Sequence, residues 1–275
     1  TATTPPKPSS LRVLIVAEHA SRQFGGEAAL PMQYYEYLRR RGIPTWLLTH
    51  ERVRPEFAGD EHADHVFYSE DRKIHQFLWR LGAHLPDRIE NLTTAYLSRL
   101  LTQISQRRKI RQLVKELSID VIHQPMPVSP KEPSLLYDLD VPVVMGPLNG
   151  GMDFPPAFKS ADSLFTRLLL RGSRWLSHGL NVIAPGKRKA EIILVANERT
   201  YLALPSGHSR NVEHMVENGV DLQLWQPRAP SQQAPQDHPG PAHYVFMGRL
   251  VDVKRVDILL DAFAQACRQR PMSLQ

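Results

Sequence analysis

Residues 11–17 read Leu-Arg-Val-Leu-Ile-Val-Ala, and residues 43–49 read Ile-Pro-Thr-Trp-Leu-Leu-Thr. The first run is short, apolar and β-branched, with no polar alternation. That is the pattern of a parallel strand covered on both faces. Between the two runs lie a polar loop, the pair Gly25-Gly26, and a stretch from 27 to 41 carrying Ala28, Leu30, Tyr34, Tyr35 and Leu38 at helical spacing. Arg39, Arg40 and Arg41 suit the negative end of a helix dipole, and Gly42 supplies the stop. Strand, helix and strand in this order make a β-α-β unit, which sets the class as α/β with a parallel sheet.

The same alternation continues outward. Residues 51–70 read as a polar loop with a short strand at 65–68. Residues 71–117 are mainly helical, with Ile74, Phe77, Leu78 and Leu81, then Leu97, Leu100, Leu101 and Ile104, and a break at Pro86. Strands are expected at 119–123 and 141–145, with a short helix at 134–139 between them and a loop at 146–151. A helix at 164–176, a strand at 191–196, a short helix at 200–204 and a strand at 214–217 follow. The repeat predicts a Rossmann-like parallel sheet with helices on both faces over 11–216, after a flexible N-terminus at 1–10. Residues 217–242 read as an interdomain segment or mobile loop, with five Pro and three Gln within 227–241. A strand at 244–247, a loop at 248–254 and a helix at 256–269 open a second Rossmann-like domain over 243–275, of which this is the first β-α unit.

The 275 residues are 42% hydrophobic and 23% charged, ordinary for a folded globular chain. The single thiol, Cys267, excludes an intramolecular disulfide and fits a reducing, cytoplasmic setting. No apolar run approaches the roughly 18 residues of a membrane-spanning helix, and residues 1–10 lack the apolar core of a signal peptide. The net charge of +6 is uneven. Residues 71–117 hold ten Lys or Arg against four acids, and residues 167–189 hold six basic residues and no acid, so the remainder carries net −6. Arg167, Arg171 and Arg174 share one helix face. A solvated basic face fits this, and so does an anionic partner: a phosphate-rich substrate or an anionic membrane surface. Nucleic acid fits poorly, because no recognition motif or interleaved aromatic residues accompany the charge.

Doubly wound sheets bind ligands beyond the carboxyl ends of their strands. Gly25-Gly26, directly before a helix, allows close backbone approach and offers free N–H groups to an anion. A plain turn would use the same pair. A dinucleotide site needs G-x-G-x-x-G where this chain has Gly-Gly-Glu-Ala-Ala-Leu, and no stretch supplies a P-loop. In the second domain, Arg249 and Lys254 lie five residues apart in the strand-to-helix loop 248–254 and could clamp a diphosphate.

The stretch from Tyr244 through Gly248-Arg249-Leu250 to Lys254, followed by Val256-Asp257 and Leu259-Leu260-Asp261, resembles the opening of the C-terminal domain of family 4 glycosyltransferases. Upstream, Asn218-Gly219-Val220-Asp221 resembles the N-G-V-D segment of that family. The resemblance covers residues 11 to about 266. It implies a GT-B fold, in which residues 11–216 form the acceptor-side domain. It implies transfer of a sugar from a nucleotide-sugar donor to a saccharide or lipid-linked acceptor, with retention of configuration and no cofactor or metal. Arg249 and Lys254 match the positions that hold the donor diphosphate, with Gly25 and Gly26 facing the diphosphate or the acceptor. His19, Asn149 and Gly150 fall on the acceptor side. His123, Asn149 and Asp153 are the candidates for direct participation.

Two positions depart from the family pattern. The loop 146–151 has no His, and Arg255 stands where the family has Gly. The two-glutamate motif of the family would lie downstream, and the chain ends twenty-one residues after Lys254, so a C-terminally truncated chain with an incomplete donor site is expected. A peripheral place at the inner face of the cell membrane would match the basic segments.

Other groups carry weaker signals. Glu18 and His19 both follow the first strand. Glu61, His62 and His65 suit a solvated loop better than a metal site. Cys267 suits packing. The alternative to a transferase is a non-catalytic, Rossmann-like module that binds an acceptor or partner and needs a second chain.

Overall fold

A computed structural model describes residues 11–59, 63–86, 89–90, 93–151, 179–219, 226, 242–248, 250, 254–269 and 272–274. The chain divides into two compact units, Thr1–Gly219 and Val220–Gln275.

The first unit is built on a seven-stranded sheet. Its strands are β1 (Val13–Val16), β2 (Thr45–His50), β3 (Val66–Ser69), β4 (Val121–Gln124), β5 (Val143–Leu148), β6 (Ile192–Val195) and β7 (Val212–His214), in the order β3-β2-β1-β4-β5-β6-β7. Every pairing is parallel. Helices α1 (Gly26–Arg40), α2 (Lys73–Gly82), α3 (Thr94–Glu116), α4 (Gly186–Lys189) and α5 (Glu198–Leu202) connect them.

Side-chain alternation along β1 explains the layering. Val13 and Ile15 pack with Met32 and Tyr35 of α1 and Leu47 of β2. Leu14 and Val16 point the other way, onto Ile110, Leu113 and Val114 of α3, with Leu48 and Ile122. The non-alternating apolar run of β1 is thus the direct result of a helix on each face. Burying each such Leu or Ile contributes about 1.5–3 kcal/mol before conformational entropy is counted. The chain moves outward from β1 to β2 and β3, then returns to β4 on the other side. The β1/β4 junction is therefore the topological switch point, where the crevice of such a sheet opens.

Several elements differ from the sequence reading. Residues 134–139 are not helical. Ser134 instead bridges Pro185, its hydroxyl donates to Gln124 Oε1 at 2.6 Å and accepts from Leu136 N at 3.1 Å, and Asp138 and Asp140 have φ of 51° and 62°. A side-chain hydroxyl that satisfies the local backbone competes with helix. Residues 146–148, expected in a loop, continue β5, and Leu148 pairs with Val195 after a register shift. Gly146 allows this because its φ is 96° and its Cα lies against the backbone of Leu194, where no side chain fits. Glu51–Phe57 forms a 3-10 turn with Val53 and Phe57 buried, where a polar loop was expected. β7 begins at Val212, two residues ahead of the expected start. The helix expected at 164–176, with Arg167, Arg171 and Arg174, lies outside the described residues.

The second unit holds β8 (Ala242–Tyr244), α6 (Val256–Cys267) and β9 (Met272–Leu274), and β9 pairs in parallel with β8. It is a β-α-β unit, whose first strand starts two residues before the expected 244–247 and ends at Tyr244, and whose last strand was not read from the sequence. Tyr244 packs edge-on against Phe263 of α6, with ring centroids 6.0 Å apart.

Candidate functional site at the carboxyl edge of the sheet

The residues following β1 open the site. Ala17 N still donates to Leu48 O, and Glu18 O accepts from His50 N at 3.0 Å and from Thr49 Oγ1 at 3.2 Å. Gln106 of α3 donates to Ala17 O at 2.8 Å. These bonds hold the backbone of Glu18 at the end of β2 and leave its side chain beside His19, with His19 Nε2 3.5 Å from Glu18 Oε1. Burial pushes the Glu18 carboxyl up to about 7. Arg99 and Arg52 pull it down, and Glu132 adds to the rise. Burial pushes His19 down to about 4, helped by Arg52, His50 and Arg99. His19 is therefore a neutral imidazole at physiological pH, and Glu18 is a carboxyl balanced near neutrality.

Buried Ser21 organises the loop into α1. Its hydroxyl donates to Glu56 Oε1 at 2.5 Å and accepts from Gln23 N and Phe24 N. The loop ends at Gly25, whose φ of 102° and ψ of 179° suit glycine alone. Gly26 then starts α1. Both glycines are exposed, with open space where a Cβ would stand. The sequence-selected His19, Gly25 and Gly26 thus belong to one connection, β1 to α1.

A second polar group borders His19. His50, 1% exposed at the end of β2, has its ring centroid 6.4 Å from that of His19 and 5.4 Å from that of His75. One ligand atom from each of His50, Asp71 and His75 lies within 4.8 Å of the others, which raises the question of a metal. The hydrogen bonds answer it. His50 Nδ1 accepts from Arg52 N at 3.2 Å, and His75 Nδ1 accepts from Arg72 N at 3.2 Å. In each neutral ring Nδ1 then acts as the acceptor and Nε2 carries the proton, so a cation at this group would have to displace a ring proton. Burial, the largest cause, lowers both imidazoles, His50 to about 4. Arg99 completes the group by donating to Glu132 Oε1 at 2.6 Å.

On the other side of the switch point, His123 of β4 is level with Ile15 of β1. It lies beneath α1, with its ring centroid 4.7 Å from that of Tyr34, and Nε2 donates to Gly146 O at 2.7 Å. Burial lowers its pKa. Asn149 and Gly150 follow β5. The Asn149 amide is fixed between Asn197, which donates to its Oδ1 at 3.3 Å, and Glu217, to which its Nδ2 donates. Gly150 N donates to Thr200 Oγ1 at 3.1 Å, and Gly150 stands against the Pro130 ring, where a Cβ would come within 2.7 Å of Cδ. Burial and the Glu217 charge raise the Tyr34 hydroxyl. Lys254 is exposed just ahead of α6 in the second unit. Asp153 and Arg249 lie outside the described residues.

His50, Arg52, Asp71, His75, Arg99, Glu132 and Glu217 were not singled out from sequence. For His50 a usable signal existed, since it directly ends a strand of a parallel sheet. Arg99 and Glu132 carried none, because only the packing of α3 against the 129–133 segment brings them together.

No family model matches the chain, and no curated protein does. Solved structures do. A glycosyltransferase from Rickettsia africae ESF-5 aligns with a TM-score of 0.50 and 13% identity, covering 96% of this chain and 59% of that one. A UDP-glucose:anthocyanidin 3-O-glucosyltransferase in complex with UDP aligns with a TM-score of 0.50 and 13% identity, covering 97% of this chain and 66% of that one. The chain thus spans less than two thirds of either. At this identity the likeness is one of fold: a Rossmann-like α/β architecture of the GT-B type.

Proposed function

We propose that this protein is a nucleotide-sugar-dependent glycosyltransferase of the family 4 type, moving a sugar with retention to a saccharide or lipid-linked acceptor. The observation that carries the reading is the Glu18–His19 pair: a carboxyl near neutrality beside a neutral imidazole, at the switch point of the sheet. Two groups that can exchange hydrogen bonds with a hydroxyl without a strong net charge suit an uncharged sugar acceptor. The GT-B-type fold supports the reading, as does the UDP held by one of the similar structures.

In this reading Arg249 and Lys254 hold the donor diphosphate and neutralise the charge that grows on the leaving group. Gly25 and Gly26 admit a ligand close to the backbone at the start of α1. Glu18 and His19 exchange hydrogen bonds with the acceptor hydroxyl next to the attacking one and so orient the attacking oxygen, and Asn149 and Gly150 hold another sugar hydroxyl. The new bond joins the acceptor oxygen to the anomeric carbon as the bond from that carbon to the phosphate oxygen breaks. The acceptor proton leaves with that phosphate oxygen. No step requires a metal.

The test is nucleoside diphosphate release from a panel of UDP-, GDP- and ADP-sugars with saccharide and lipid-linked acceptors, with the product anomer read by NMR. Acceptor-dependent release with a retained anomer is expected, reduced about 10–100-fold in Glu18→Gln through lost orientation. Folded full-length protein that releases nothing from any donor would overturn the reading.

A further inference from the structure

Helix α3 changes character along its buried side. Its second half buries Ile110, Leu113 and Val114, and its first half buries Thr102, Gln103 and Gln106. The polar side chains of this half are bonded. Thr102 Oγ1 donates to Ser98 O at 3.0 Å, and Gln106 donates to Ala17 O at 2.8 Å, at the end of β1. Gln103 Nε2 donates to Pro133 O at 3.3 Å, and its Oε1 accepts from Leu135 N at 2.9 Å. Arg107 donates to Leu135 O at 2.5 Å, and Arg99 Nε donates to Glu132 Oε1 at 2.6 Å. Arg99, Gln103, Gln106 and Arg107 recur at i, i+4, i+7 and i+8. One face of α3 therefore grips both residues 132–135 and the strand end that carries Glu18.

The Arg99–Glu132 bond differs from the rest. The others run to backbone atoms and hold the chain. This one joins two charges, with side chains 26% and 10% exposed. The segment has other fastenings: Gln103 and Arg107 hold residues 133–135, and the Lys187 ammonium holds the carbonyls of Ser129, Pro130 and Glu132. A buried ion pair is in any case weak evidence for stability. Its place is more telling. Burial is the largest influence on the Glu18 carboxyl, followed by Arg99, Glu132 and then Arg52 of the 3-10 turn. Arg52, His50 and Arg99 act in turn on His19. Two carboxylates thus compete for the Arg99 guanidinium, and Glu132 has it. Among the described residues, the ion contact of Glu18 is His19 Nε2, at 3.5 Å.

We infer that Glu132 is a positioning residue for Glu18: by holding the Arg99 guanidinium it keeps that cation from closing an ion pair with Glu18, and so leaves the Glu18 carboxyl to the acceptor. The inference rests on the acceptor role proposed above for Glu18. A carboxylate bonded to a guanidinium has its lone pairs engaged and meets a sugar hydroxyl poorly. Lys187 and α3 supply the rigidity. They fix the backbone of Glu132 and the root of Arg99, so the guanidinium is drawn to one side.

Titration of the Glu18 carboxyl in the whole chain, followed by carboxyl-carbon NMR and assigned with Glu18→Gln, tests it with neither donor nor acceptor present. Wild type is expected to titrate at about 7. Glu132→Gln releases Arg99 and is expected to bring the midpoint down by about 1–3 pH units, the effect of an adjacent opposite charge. Arg99→Gln leaves Glu132 facing Glu18 and is expected to raise the midpoint. Arg99→Gln with Glu132→Gln is expected to return it to about 7 or above. In acceptor kinetics Glu132→Gln should raise KM more than it changes kcat and move the pH inflection lower, with Glu132→Asp restoring both in part. Folded Glu132→Gln with a midpoint within about half a pH unit of wild type would overturn the inference, because the guanidinium then stays where it was. So would a fall that persists in the double variant. Should Glu132→Gln not fold, Arg99→Gln decides, and a midpoint that fails to rise overturns the inference. The titration uses no substrate, so its failure is distinct from that of the transferase reading, which the donor panel decides.

Discussion

Glu18 and His19, neighbours at the end of β1, hold their protons in inverted order. The carboxyl is pushed up to about 7 and the imidazole down to about 4, with His19 Nε2 3.5 Å from Glu18 Oε1. Between those values both groups are neutral, and above pH 7 a mostly buried carboxylate stands beside a neutral ring.

This order predicts the pH dependence of acceptor use. The acceptor KM should fall as pH rises through about 7, as Glu18 becomes the stronger hydrogen-bond acceptor. Glu18→Gln should raise that KM and remove the inflection. His19→Gln should weaken binding but leave the inflection near 7, because His19 does not titrate there. Initial rates at a series of acceptor concentrations from pH 5.5 to 8.5 decide it; an inflection that survives Glu18→Gln contradicts the assignment.

Stability should respond in two opposing ways. Glu18 binds its proton more tightly folded than unfolded, so its contribution is present below about 4.5 and is lost as pH rises to about 7. His19 and His50 do the reverse. Their folded pKa values near 4 lie below the unfolded 6.5, so their contribution is present above 6.5 and is lost as pH falls toward 4. Each group changes stability by up to ~1.4 kcal/mol per pH unit inside its window. Glu18→Gln should therefore be about 1–3 kcal/mol more stable than wild type at pH 8 and equal to it below pH 4.5. Denaturant unfolding at the two pH values measures this.

The fold was legible because its signals are local. The apolar run of β1, the glycines that frame α1 and the apolar run of β2 each say one thing, and they agree. Where the reading failed, tertiary contacts decided. Ser134 gives its hydroxyl to Gln124 rather than allowing a helix, and Gly146 carries β5 onward past an expected turn. The site divides in the same way. His19, Gly25 and Gly26 could be found by position after the first strand. The burial that tunes Glu18, and the Arg99–Glu132 pair beside it, come from chain segments far apart in sequence.

Gly25 and Gly26 should differ sharply on substitution. Gly25→Ala forces a Cβ into a φ of 102° and should cost about 1–3 kcal/mol, despite the open space around it. Gly26→Ala, in helical backbone with the same open space, should be neutral or slightly stabilising. Thermal melting of the two variants side by side is the check, and equal losses would refute the backbone argument.

Lys187 should prove structural. It is 3% exposed, and its ammonium donates to Ser129 O at 3.2 Å, to Pro130 O at 2.5 Å and to Glu132 O. This fastens the segment that carries Glu132 and that Gly150 packs against. Lys187→Met leaves three carbonyls without their donor and should cost about 2–4 kcal/mol. Chemical denaturation would show this, and a loss below about 0.5 kcal/mol would mean that water replaces the ammonium.

The central claim is a nucleotide-sugar donor paired with an acceptor site at the end of β1, and calorimetric titration with UDP, GDP and ADP tests it most directly. The account predicts binding of at least one of the three, weakened about tenfold or more when Arg249 and Lys254 are both changed to Ala, and unaltered by Glu18→Gln. Binding of none, or binding indifferent to the loss of Arg249 and Lys254, would contradict it.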